Sequence, residues 1–98
     1  MIRTPEDCRD MDELRKEIDR LDERMIRLLS ERVKYVARAV EIKRIEKLPA
    51  LIPERVQAVL DHVKAKGQKT GVDPELAENV WRVIIDWAVN FEKEKLKK

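Results

Sequence analysis

From Met11 onward, apolar residues return at alternating steps of four and three: Leu14, Ile18, Leu21, Met25 and Leu28. That rhythm is the seam of a coiled-coil-like helix. Ile26, Leu29, Val33, Val36 and Val40 widen the apolar face, and neither proline nor glycine interrupts residues 11–48. The pattern predicts one long helix to about Ile45, ~50 Å at 1.5 Å per residue. Pro49 and Pro53 then bracket a break, and Pro53 suits the first turn of a second helix. Val56, Val59, Leu60 and Val63 give that helix a buried stripe before Gly67. Residues Gly67 to Gly71 are expected to form a flexible turn. Asp73-Pro74 reads as an N-cap followed by proline at the first helical position. Leu76, Val80, Trp81, Ile84, Ile85, Ala88 and Phe91 are the expected core face of a third helix.

The expected architecture is all-α: one long and two shorter helices in a single domain spanning residues 1–98, with residues 1–10 as an irregular arm. Two short helices cannot cover a helix this long, so a second copy is expected against its apolar face. A chain of 98 residues also buries only a modest core by itself.

Composition sharpens this picture. Charged residues make up 43% of the chain while aromatic residues make up 4%, a balance that favours helix over strand. The net charge is only +2, with the two signs interleaved, so no nucleic-acid footprint is expected. The basic run from Lys93 to Lys98 suits a helix C-terminus, where cations complement the dipole. Cys8 is the single cysteine, with no second thiol for a disulfide or metal site, and His62 reads as a surface residue. No apolar run approaches a membrane span and no signal-peptide core precedes the helices, so a reducing cytoplasm is the expected setting.

Chemistry enters where charge interrupts an apolar stripe. The first seam continues through Arg32 to Val36, Ala39 and Lys43. Arg32 and Lys43 are eleven residues apart, close to three turns and ~16 Å along the axis, and so share a face. Either they snorkel to solvent with their stems packed, or they point inward at an anion; periodicity leaves both open. Glu92 similarly extends the stripe of Trp81, Ile84, Ile85 and Ala88. Arg15 lies roughly 100° around the helix from Arg32, more naturally at the surface unless an antiparallel copy brings it to the site.

The stretch Leu14-Arg15-Lys16-Glu17-Ile18-Asp19-Arg20-Leu21-Asp22, then Leu28-Leu29-Ser30-Glu31-Arg32, Ile42-Lys43 and Pro53-Glu54-Arg55-Val56, resembles the all-helical chorismate mutase family. The likeness covers nearly the whole chain. It implies an intertwined homodimer whose sites each take Arg32, Lys43, Glu54 and Glu92 from one chain and Arg15 from the other. Val36, Ala39 and Ala88 would line the substrate. The implied reaction is the rearrangement of chorismate to prephenate, with no metal or cofactor. Arg32 and the second copy's Arg15 would bind two carboxylates, Lys43 would donate to the ether oxygen, and Glu54 would meet the ring hydroxyl. Many relatives carry glutamine where this chain has Glu92. A glutamate donates only while protonated, so turnover is expected to fall as rising pH removes that proton.

The arm Thr4-Pro5-Glu6-Asp7-Cys8 and the segment Pro49 to Val56 look closest to the isochorismate-pyruvate lyase branch, which forms salicylate. Ala50 and Pro53 stand where well-known mutases carry an extra arginine and aspartate, while the residue at 92 leans modestly towards mutase. The alternatives are thus the lyase, or a non-catalytic helical dimerisation or regulatory module. The segment 44–52 is a candidate for closure over substrate.

Overall fold

Helix boundaries follow the local chemistry closely. In the computed structural model, which describes residues 2–97, a 3-10 turn at Pro5–Asp7 precedes α1 (Met11–Glu46), α2 (Pro53–Thr70) and α3 (Pro74–Leu96). No strand occurs among the described residues, and none of these helices is long and apolar enough to cross a membrane. Met1 of the arm and Lys98 of the terminal basic run lie outside the described residues.

The start of α1 is held by a pair of side-chain caps. Asp10 accepts from the Glu13 amide at 2.9 Å, and Glu13 reaches back to accept from the Arg9 amide at 2.8 Å. Together they satisfy donors that a helix start leaves unpaired. Arg3 joins the same carboxylate, which ties down part of the arm. At α3, Asp73 accepts from the Glu75 amide at 2.9 Å with Pro74 in the first turn, as its sequence predicts.

The described residues form two compact units, one ending at Tyr35 and one beginning at Val36, and α1 runs through both. The first holds the arm and the amino-terminal part of α1. Its seam residues Ile18, Leu21, Met25 and Leu28 are all about half exposed. The second unit has the core. There α2 packs on α3, and Leu60, Ala77, Ile85 and Ala88 are buried together with Val40 and Ala50. Across these two helices Lys64 reaches Glu78 at 2.7 Å, and Arg82 meets the same carboxylate at 3.2 Å. Hydrogen bonds from both cations hold the Glu78 carboxyl below its ordinary value. The stability this provides is present above the ordinary carboxylate range and is lost as pH falls through the lowered value.

Two expectations are corrected. Residues 67–70 are helical, so Gly67 is a buried position inside α2 and not the start of a turn. A Cβ there would stand 3.2 Å from the Val72 carbonyl oxygen and 3.8 Å from the Ala77 Cβ. The glycine is thus explained by the close return of the chain into α3. The turn itself is made by Gly71 at φ 88°, with the Val72 amide donating to the Gly67 carbonyl at 2.8 Å. This is the Schellman arrangement that favours glycine. Gly71→Ala is expected to destabilise the protein by about 1 kcal/mol, read as a lower urea midpoint at unchanged m-value.

The second correction concerns α3. Leu76 is 56% exposed and Val80 36%, so neither belongs to its core face. The buried stripe instead starts at Ala77, which packs against Gly67. It continues through Ile85, Ala88 and Glu92.

Candidate active site

The end of α1 builds the site. Lys47 takes the left-handed conformation at φ 58°, and the Leu48 amide donates to the Lys43 carbonyl at 2.8 Å. Pro49 cannot extend the helix, and Pro53 begins the next one. Between them the connection buries Ala50 and aims its carbonyl at the Lys43 ammonium, which donates to it at 2.8 Å. A lysine near a helix end is thereby fixed by the backbone that follows it.

Opposite stands Glu92 of α3, whose Oε1 lies 2.7 Å from Lys43 Nζ. The side chains are 17% and 9% exposed respectively, so this is a nearly buried ion pair. The contact is short but not aligned as a hydrogen bond: Glu92 Oε1 is buried with no donor directed at it. The ammonium directs its bond to Ala50 and keeps donor capacity. Such a pair is costly to desolvate and costlier still to break. It places one cation and one carboxyl group where each can meet a third polar atom.

The structure therefore brings together Lys43 and Glu92, two residues singled out by their interruption of apolar stripes. Ala88 is buried one turn before Glu92 on α3, and Val36 and Ala39 are half-buried on α1. Glu54 is exposed in the first turn of α2. Arg32 is half-buried and Arg15 exposed, both within the unit that ends at Tyr35. The contribution of the Ala50 carbonyl had no sequence signal, because any residue supplies the same backbone oxygen.

Two grooves flank this region. One, of about 460 Å³, is lined by Lys43, Arg44, Lys47, Ala50, Lys93 and Lys97 among others. The second, of about 280 Å³, includes Leu51, Val56, Ile85 and Val89 with Asp86 and Lys93. Elsewhere, burial first and then the carboxylates Glu17 and Glu13 push the Cys8 thiol up. That disfavours the thiolate a nucleophile requires.

An all-α domain that holds a nearly buried lysine–glutamate pair between its first and third helices has the kind of inward-facing polar side chains from which helical bundles build sites. The chorismate mutase type II family matches residues 14–93, and the chain belongs to that family. It is 39% identical over 88 residues to a bifunctional chorismate mutase/prephenate dehydratase of Aquifex aeolicus, covering 87% of this chain but 24% of that protein. It is 35% identical over 89 residues to an isochorismate pyruvate lyase of Pseudomonas aeruginosa, covering 90% of this chain and 86% of the lyase. A chorismate mutase of Methanocaldococcus jannaschii is 26% identical over 84 residues, with 86% and 85% covered. The chain thus spans about a quarter of the bifunctional relative and most of the other two.

Proposed function

We propose that this protein converts chorismate to prephenate. The observation that carries the reading is the Lys43–Glu92 pair, held by the Ala50 carbonyl, in a chain of the chorismate mutase type II family. In this rearrangement the ether C–O bond breaks as a new C–C bond forms, and no electrons leave the substrate. Catalysis can then rest on holding the reactive conformer and stabilising charge that develops on the ether oxygen. Lys43 is suited to the second task, because its ammonium is anchored at one side and retains donors for the substrate. Glu92 stands 2.7 Å from that ammonium and helps to fix its position.

Arg32, and Arg15 of a second copy, are assigned to the two substrate carboxylates, and Glu54 to the ring hydroxyl. Val36, Ala39 and Ala88 are assigned to the apolar walls. The exposed seam of α1 supports the homodimer this requires, since Ile18, Leu21, Met25 and Leu28 otherwise meet solvent.

The second reading, elimination of pyruvate from isochorismate to give salicylate, is favoured by the lyase relative, which matches nearly end to end. Separate incubations with chorismate and isochorismate, with products resolved by chromatography, distinguish the two. Prephenate as the dominant product is the expected result. Efficient release of salicylate would assign the lyase reaction, and no conversion of either compound would leave the helical module without catalysis.

A further inference from the structure

We propose that the groove at the end of α1 is an electrostatic funnel that draws the dianionic substrate to Lys43, with Lys47 and Lys93 as its principal capturing charges. The proposal rests on the catalytic reading above and names residues which that reading leaves without a role.

Among the described residues the groove is lined by five cations, Lys43, Arg44, Lys47, Lys93 and Lys97, and by no carboxylate. Its remaining lining is Leu48, Pro49, Ala50 and Leu96. In a chain of net charge +2, that is a strong local concentration of one sign. Lys43 belongs both to this groove and to the ion pair with Glu92, so the positive surface leads to the candidate catalytic ammonium.

Cations do gather at helix C-termini to complement the dipole, and α1 and α3 both end here. That requirement is met in part by other groups. The Leu48 amide occupies the Lys43 carbonyl, the Lys97 amide donates to the Lys93 carbonyl at 3.2 Å, and Arg44 donates to the Lys95 carbonyl at 2.7 Å. Lys97 has Glu94 at 3.4 Å, an exposed and weak pair. Lys47 and Lys93 form no ion pair among the described residues, and both are exposed. Lys47 also occupies a left-handed position that glycine would fill with less strain.

A low-dielectric cleft lined by one sign raises the local concentration of an oppositely charged ligand. The effect is greatest for a dianion and fades as salt shortens the Debye length from ~30 Å at 0.01 M to ~3 Å at 1 M. It acts on capture, so it belongs to kcat/KM and not to kcat.

The test compares the parent with Lys47→Gln/Lys93→Gln and with a control that removes the same charge from the other end of α2, Lys66→Gln/Lys69→Gln. Kinetics are followed across the salt range, and malonate, an unreactive dicarboxylate, is titrated while backbone amide resonances are observed. At low salt the Lys47/Lys93 variant is expected to lose about tenfold in kcat/KM with kcat unchanged, and to converge on the parent at high salt. The control should lose much less. Saturable malonate shifts are expected at Leu48 and Ala50, absent from the Lys47/Lys93 variant. Equal losses in the two variants, a loss in kcat alone, or a salt-independent difference overturns the funnel. Absence of turnover with either chorismate or isochorismate overturns the catalytic reading instead. In that case malonate alone decides: localised, variant-sensitive shifts retain an anion groove, and their absence removes it.

Discussion

Lys43→Ala is expected to lower kcat/KM for chorismate by about 10²- to 10³-fold, the usual cost of removing a preorganised donor from developing negative charge. The variant should also lose about 3 kcal/mol of stability, because Glu92 is left buried without its cation. These losses have different causes and can be separated. Adding Glu92→Gln to Lys43→Ala removes the stranded carboxylate, so the double variant should regain most of the stability while remaining inactive. Steady-state kinetics and urea unfolding check the two halves. A Lys43→Ala enzyme within a few-fold of the parent would remove Lys43 from the mechanism. A double variant no more stable than the single one would show that the pair contributes no buried-charge penalty.

This separability has its origin in how the sequence encodes the site. Lys43 and Glu92 were legible as candidates because each breaks an apolar stripe, although periodicity left open whether Lys43 points inward or snorkels to solvent. The ends of the helices were legible too, from Pro53, Asp73-Pro74 and the absence of breakers before Pro49. Periodicity says much less about which apolar residues find a partner. The seam from Ile18 to Leu28 has a regular pattern yet is half exposed, because the pattern specifies a face and not its occupant.

Gly67 misled for a related reason. Glycine is an intrinsic helix breaker, but here the tight approach of Val72 and Ala77 requires a residue without a side chain inside the helix. Packing overrode propensity. Lys47 is the converse case: a lysine holds a left-handed helix terminus where glycine would be expected. Neither that strain nor the Ala50 carbonyl is visible in residue identity, since both are properties of backbone path. Spacing alone puts Leu76 and Val80 on the core face, whereas α3 packs through Ala77, Ile85 and Ala88 and leaves both outside it.

Glu92→Gln is expected to raise mutase turnover by about ten- to thirtyfold, as one hydrogen bond to developing charge is worth roughly 1.5–2 kcal/mol. The carboxylate in the parent faces Lys43 and has no proton to give once ionised. An amide at this position presents an N–H to the ether oxygen at every pH, while its carbonyl can still accept from Lys43. Stability should fall, because Lys43 keeps its charge in a nearly buried place and loses its carboxylate, with the Ala50 carbonyl and the new amide oxygen as partial compensation. The informative failure is a variant with lower turnover than the parent. It would mean that the negative charge of Glu92 matters more than a donor there, holding the ammonium in place for the substrate. The ion pair would then be the working state of the site, and Lys43 alone would carry the stabilisation of the ether oxygen.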